Sequence, residues 1–170
     1  MKVVNVHERE LPVACLEAGA LIDSLASVND ALWPRQTWPP MEFDRPLSVG
    51  ATGGHGPIRY FVESYSPGES IRFRFTGPKG FNGCHRYDVV SSGQRACILR
   101  HTLEMTAHGP AVLSWPLLFR PMHDALIEDS LAVAEAALRR PAHIHPWSVR
   151  VRFLRWVFSR GRARPQIGLA

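Results

Sequence analysis

The order of patterns along the chain predicts an α+β fold: a curved antiparallel β-sheet wrapped around a long C-terminal helix, with two short helices after the first strand. Two observations carry this. Between residues 47 and 107, five β-like segments follow one another through tight turns, which leaves no room for the crossover helices of a parallel sheet. Residues 122–139 then form a long stretch with apolar side chains at helical spacing. A curved sheet cannot bury its concave face alone, so this helix must pack across it.

Residues 2–8 alternate, with Val4 and Val6 on one face and Val3, Asn5 and His7 on the other, and predict a strand. Pro12 opens a first helix, whose apolar stripe is Val13, Leu16, Ala20 and Leu25. Ser27 caps a second, short helix that ends before Trp33-Pro34. Four prolines make residues 34–46 a loop. The strands follow as 47–52, 58–65, 70–76, 82–90 and 95–107, the last two forming a hairpin around Ser91-Ser92-Gly93-Gln94. Gly53-Gly54-His55-Gly56 reads as a bend or lid between two strands. Pro116 and Pro121 interrupt an apolar lead-in containing Trp115 and Phe119. Met122, Leu126, Ile127, Val133, Ala134, Ala137 and Leu138 mark the buried side of the long helix; Asp124, Glu128 and a Glu135–Arg139 pair mark its polar side.

The chain has 170 residues, enough for one well-buried core. Residues 1–140 hold 14 Lys+Arg against 15 Asp+Glu, whereas residues 141–170 hold 6 Arg and no acid. The basic excess is therefore a property of a C-terminal extension, residues 141–170, rather than of the domain at 1–140, and nucleic acid is an unlikely partner for the domain. Three cysteines without CxxC spacing argue against a disulfide framework and for a reducing cytoplasm. No apolar run follows the opening ten residues, so no signal peptide is expected. No stretch is long and apolar enough for a membrane span.

The element order, the segment Ile58-Arg59-Tyr60-Phe61-Val62-Glu63-Ser64-Tyr65-Ser66-Pro67-Gly68-Glu69 and the helix start Arg120-Pro121-Met122-His123-Asp124-Ala125-Leu126 resemble the START/Bet v 1-like helix-grip superfamily, in particular its bacterial polyketide cyclase/dehydrase and lipid-transport group. The resemblance implies a cavity between sheet and helix for a hydrophobic ligand. It implies no reaction, because that fold hosts transporters, receptors and cyclases alike.

Alternation turns Cys97, Leu99, His101, Leu103 and Met105 to the cavity, and His85, Tyr87 and Val89 with them. A loop centred on Gly93 would pair Val89 with Cys97, Tyr87 with Leu99 and His85 with His101. The expected cavity residues are thus Tyr60, Phe73, His85, Tyr87, Leu99, His101, Met105, Trp115, Phe119 and Met122. Two imidazoles and a phenol in an apolar wall could anchor a ligand carbonyl or move a proton; buried structural histidines are the plainer account, and no residue is assigned as catalytic. His123 reads as an exposed first-turn residue beside Asp124. It could approach the other two histidines from the helix, but nothing at fixed spacing completes a ligand set. Neither a metal nor a cofactor is assigned, and Cys84 and Cys97 read as small buried residues.

Residues 146–160 predict a basic amphipathic helix opened by Pro146. Ser148, Arg152, Arg155, Ser159 and Arg162 form its polar stripe, and Trp147, Val151, Leu154 and Phe158 its apolar stripe, widened by Val149, Phe153, Trp156 and Val157. Such a face must be covered by its own domain, by the second subunit of a homodimer or by a bilayer; the split of Arg150 by Val149 and Phe153 favours docking. The functional expectation is binding of a hydrophobic small molecule, with an aromatase/cyclase-type enzyme and a membrane-peripheral interaction protein as alternatives.

Overall fold

A computed structural model describes residues 1–93 and 95–161. Seven strands form a single antiparallel sheet in the order β1-β7-β6-β5-β4-β3-β2: β1 Lys2–Leu11, β2 Glu42–Phe43, β3 Thr52–His55, β4 Ile58–Ser66, β5 Ser70–Gly77, β6 Phe81–Gly93 and β7 Ala96–Ala107. The helices are α1 Cys15–Asp23, α2 Ala111–Ser114, α3 Arg120–Ala137 and α4 Val149–Phe158, with a π-helical turn at Trp115–Phe119 joining α2 to α3. This is the expected helix-grip architecture, a long helix lying across a wrapped sheet. Among the described residues no helix is long and apolar enough to cross a membrane.

The strands follow their alternation. In β5, Ile71, Phe73 and Phe75 are buried, while Arg72 and Arg74 turn outward onto Glu63 of β4, at 2.8 and 2.6 Å. Burying such a side chain contributes about 1.5–3 kcal/mol, so the core side of one strand dictates its orientation. On β1, Val4 and Val6 lie on the outer face, Val4 being 69% exposed, while Val3 is buried. Asn5, His7 and Arg9 turn inward instead, because α3 offers them Asp124, Glu128 and Glu135.

Several local expectations are corrected. The α1 stripe is Ala18, Gly19, Leu21 and Ile22, and Leu16 is 80% exposed. The small residues decide this: a Cβ on Gly19 would lie 2.0 Å from the Gly68 carbonyl oxygen, so the helix approaches the β4–β5 turn closely by its narrow face. The helix predicted after Ser27 does not form. The Asp30 carboxylate accepts hydrogen bonds from the Ala26, Leu32 and Trp33 amides, and Ser27 Oγ accepts one from the Asn29 amide, so side chains satisfy the backbone as a loop. The strand expected at 47–52 lies at Thr52–His55, and its two glycines are strand residues rather than a lid. A Cβ on either would meet a carbonyl oxygen of β2 or β4 at 2.0 Å.

The β6–β7 register is shifted by two residues from the expected one: Val89 pairs with Leu99, Tyr87 with His101 and His85 with Leu103. The polar Ser91 continues the ladder to Cys97, and the turn tightens beyond Gly93. Gln94 lies outside the described residues. A shift of two preserves the faces, so the inward set is unchanged.

The helix expected to begin after two proline breaks runs on from Ala111 through the π turn. There the Arg120 amide donates to the Trp115 carbonyl, five residues back. This wider turn accommodates Pro121, which cannot donate to the Leu117 carbonyl. That carbonyl instead accepts from Arg150 Nη2 at 2.6 Å, which ties α4 to the turn. The Glu135–Arg139 pair does not form. Arg139 has left the helix with φ 56°, and buried Glu135 takes Arg9 and His143 instead. Ala137 is exposed.

Helix α4 packs against α3. Ser148, not Pro146, caps α4 by accepting from the Val151 amide. Val151 and Leu154 are buried, and so is Arg155, which the pattern had placed in the polar stripe with Arg152 and Arg162. Arg152 is exposed, and Arg162 lies outside the described residues. Arg155 turns inward because Trp38 and Trp147, themselves in edge-to-face contact, each offer it a ring, at 4.0 and 4.3 Å from its guanidinium carbon.

Candidate ligand cavity

A cavity of about 440 Å³ lies between the concave sheet and α3, within the range of roughly 300–1,000 Å³ usual for small-molecule sites. Its wall takes His55, Phe75, Phe81, His85, His101 and Leu103 from the sheet, Trp115, Phe119, Met122, His123, Leu126 and Ile127 from the helical run, and Trp33 and Trp38 from the loop between α1 and β2. Arg155, Phe158 and Ser159 of the extension complete it. Exposed Gly56, Pro57 and Phe158 place the mouth between the β3–β4 turn and the end of α4.

Of the residues expected from alternation and resemblance, His85, His101, Trp115, Phe119 and Met122 stand in this wall. The others stand behind it. Phe73 stacks under His85 at 4.9 Å, and Tyr60 meets the same ring edge-on at 4.8 Å. Tyr87 packs edge-on against His101 and shares a 2.9 Å hydrogen bond with Ser130 of α3. Leu99 and Met105 belong to the core toward the two ends of β7. In the extension, Trp147 donates to Asp129 and Leu154 is buried against the domain; Arg155 and Phe158, expected as docking or membrane residues, reach the cavity itself.

Three wall residues departed from expectation. His123 is no exposed first-turn residue: its ring lies 5.1 Å from that of His101 and 5.7 Å from Trp115. Extending the helix back through the π turn places position 123 on its inner side. His55 comes from the supposed lid and shares a 3.0 Å hydrogen bond with Tyr60. Arg155 is 7% exposed and donates through Nη2 to the Thr37 carbonyl. The odd placement of an arginine in an aromatic-rich segment was the available signal.

The polar groups of the cavity are mostly uncharged. Burial pushes His55 down to about 3, and holds His85 and His101 well below the usual 6.5, with neighbouring imidazoles acting in the same sense. His123 is lowered too, by burial against the pull of Asp124. His85 Nδ1 lies 3.3 Å from His101 Nε2. Whichever ring donates, one outer nitrogen keeps its proton and the other its lone pair. Those outer atoms, His85 Nε2 and His101 Nδ1, are buried and lack a hydrogen-bond partner among the described residues. Arg155 is the charged exception; burial lowers it to about 10, partly offset by Asp129, so it stays cationic at neutral pH.

No family model matches the chain, and no curated protein sequence matches it. Solved structures do. Norcoclaurine synthase from Thalictrum flavum, in complex with dopamine and hydroxybenzaldehyde, superposes with a TM-score of 0.60 at 14% identity, over 84% of this chain and 90% of that one. CalU16 from Micromonospora echinospora superposes at 0.59 and 9% identity, over 93% and 87%. A START superfamily protein from Mycobacterium smegmatis superposes at 0.50 and 11% identity, over 79% and 93%. At these identities the likeness speaks for architecture: the chain has the START/Bet v 1-like helix-grip fold.

Proposed function

We propose that the cavity binds a hydrophobic small molecule of lipid, acyl or polyketide-like aromatic type, held by an apolar wall and oriented by neutral imidazoles. The observation that carries this is the pairing of His85 with His101 in an otherwise largely aromatic and aliphatic lining. Uncharged donors and acceptors suit a carbonyl or hydroxyl group on an apolar body. Native mass spectrometry and solvent extraction of the purified protein test it: a co-purifying apolar molecule is expected. Failure to find one, with no displacement of a fluorescent fatty-acid probe by aromatic ketones or fatty acids, would count against it.

The same pair supports an aromatase/cyclase-type reading, since taking a proton at one outer nitrogen while releasing one at the other leaves both rings neutral. His101→Leu separates the two. A binding protein loses about 1 kcal/mol of affinity for a carbonyl ligand; a cyclase or dehydratase loses activity by about a hundredfold or more.

The outer face of α4 supports peripheral attachment. Docking covers Val151 and Leu154 but leaves Val149, Phe153, Trp156 and Val157 exposed beside Arg150 and Arg152. This is the composition of a helix lying in an anionic bilayer surface. Salt-sensitive flotation with anionic liposomes is expected; a homodimer in sedimentation without flotation would assign the face to a second copy.

A further inference from the structure

We propose that His7, His123 and Asp124 form a binding site for a zinc-class divalent cation at the edge of the cavity. One ligand atom from each of the three lies within 4.8 Å of the others. His7 Nε2 is 3.3 Å from Asp124 Oδ1, and His123 Nδ1 is 3.6 Å from the same oxygen. A tetrahedral zinc ion with bonds of about 2.0–2.1 Å sets its ligand atoms about 3.3–3.4 Å apart. The two short edges of the triangle therefore already match an ion, with modest rotamer adjustment.

The surroundings of the triangle fit the same reading. His7 Nδ1 pairs with Glu128 Oε1 at 2.7 Å, which leaves Nε2 directed at Asp124. A carboxylate holding the far nitrogen of a ligating imidazole is the usual support of a metal-bound histidine. Glu128 is in turn held by Arg9 at 2.8 Å. Asn5 Nδ2 donates to Asp124 Oδ1 at 2.9 Å, and its own Oδ1 is buried without a partner among the described residues. A water on the ion would supply that oxygen with a proton donor. The ligands sit on β1 and the first turn of α3, two elements joined by this same polar seam, so the geometry is supported by rigid structure.

A hydrogen-bonded pair of His7 with its two carboxylates accounts for His7 without an ion. It does not account for His123. Both ring nitrogens of His123 are buried and lack a hydrogen-bond partner among the described residues, which is costly for an imidazole. An ion at the triangle occupies one of them. It takes the place of the proton shared between His7 and Asp124, and that proton leaves to solvent. Two imidazoles and one carboxylate suit zinc and similar N/O-binding metals; three protein ligands leave a position open, as catalytic zinc sites do. Because His123 belongs to the cavity wall, that position adjoins the ligand space.

The test uses the full chain, stripped with a chelator and titrated with Zn²⁺ by calorimetry and with Co²⁺ by visible absorption. One equivalent of each should bind, and Co²⁺ should show the intense d–d bands of a tetrahedral site. Asp124→Asn and His123→Leu should each abolish the bands and weaken Zn²⁺ at least a hundredfold. Glu128→Gln should weaken it about 10- to 100-fold. His108→Ala, an exposed histidine elsewhere, should change nothing. Absence of the bands in the unmodified protein overturns the proposal whatever the variants do, as does undiminished zinc binding in folded Asp124→Asn and His123→Leu proteins. The outcome is independent of whether an apolar molecule occupies the cavity.

Discussion

His7 and His101 face each other across β1 and β7, yet they behave as different chemical groups. His101 sits among Tyr87, His85 and His123 and is held neutral. For His7, burial likewise opposes protonation, but hydrogen bonds and charge from Asp124 and Glu128 outweigh it and push its pKa up to about 9. One pairing step across the sheet thus separates a neutral aromatic wall from a charged seam. The difference lies in α3: its carboxylates reach the edge strand, while its apolar side chains cover the strands behind. A residue type therefore says little about its role until the helix above it is known.

The largest expected effect breaks the wall by acid. His55 and His85 are buried neutral, and their folded pKa values lie below the unfolded 6.5. The unfolded chain therefore binds protons first as pH falls. Stability is fully present above pH 6.5 and drains away below it, down to about 3 for His55, with a slope approaching about 1.4 kcal/mol per pH unit for each such histidine. Urea unfolding at pH 7, 6, 5 and 4 measures this. A midpoint that stays constant from pH 7 to 5 would show that these rings are not buried as described.

Phe73→Ala breaks the wall sterically. Phe73 is fully buried, stacked on His85 and on Phe43 at 5.8 Å. Its loss should cost about 3–5 kcal/mol in chemical denaturation. Water admitted beside His85 should bring that imidazole back toward its ordinary pKa in an NMR titration. A large stability loss with no such return would mean that burial is not what keeps His85 neutral.

Arg9→Met breaks the seam instead. Arg9 bridges Glu128 and Glu135 at 2.8 and 3.4 Å, and Glu135 is almost wholly buried. The methionine keeps most of the stem and leaves two carboxylates facing each other with less countercharge. A loss of about 2 kcal/mol is expected in chemical denaturation, and a smaller one when the same substitution is made in a Glu135→Gln background, where the buried charge is gone. Equal losses in both backgrounds would assign the effect to packing.

The two regions were unequally legible in the sequence. The faces of β5 and β7 were plain, because Ile71, Phe73 and Phe75, or the alternate residues from Cys97 to Met105, can bury themselves in only one way, whereas the short β2 and β3 were misplaced or missed. Register was not plain, since Ser91 and Ser92 look like a loop and are strand. In the wall, His85 and His101 followed from alternation, whereas His55, His123 and Arg155 depend on tertiary placement. The glycines of β3 permit close approach rather than flexibility, and the π turn rotates His123 inward. The seam was the least legible part. Asn5, His7 and Arg9 alternate with Val4 and Val6, and the pattern alone does not say which set faces the core; the carboxylates arriving from α3, more than a hundred residues away, draw the polar set inward.

The smallest effect sharpens the comparison at the point where wall and helix meet. Tyr87 stands behind His101, and its hydroxyl shares a 2.9 Å hydrogen bond with Ser130, whose own hydroxyl donates to the Leu32 carbonyl at 2.9 Å. If Ser130 donates to Leu32, its single proton is committed, so Tyr87 must be the donor and Ser130 the acceptor. Burial pushes the Tyr87 pKa up, which keeps that proton in place at any ordinary pH. Tyr87→Phe removes the donor, keeps the ring against His101 and leaves Ser130 Oγ bonded to Leu32. The expected cost is about 1 kcal/mol by chemical denaturation, independent of pH between 6 and 9. The cavity wall itself should be unaltered, so binding of a fluorescent fatty-acid probe should stay within twofold. A tenfold loss of probe binding would instead place the Tyr87 hydroxyl in contact with the ligand, and would move the polar end of the cavity one residue deeper than the His85–His101 pair.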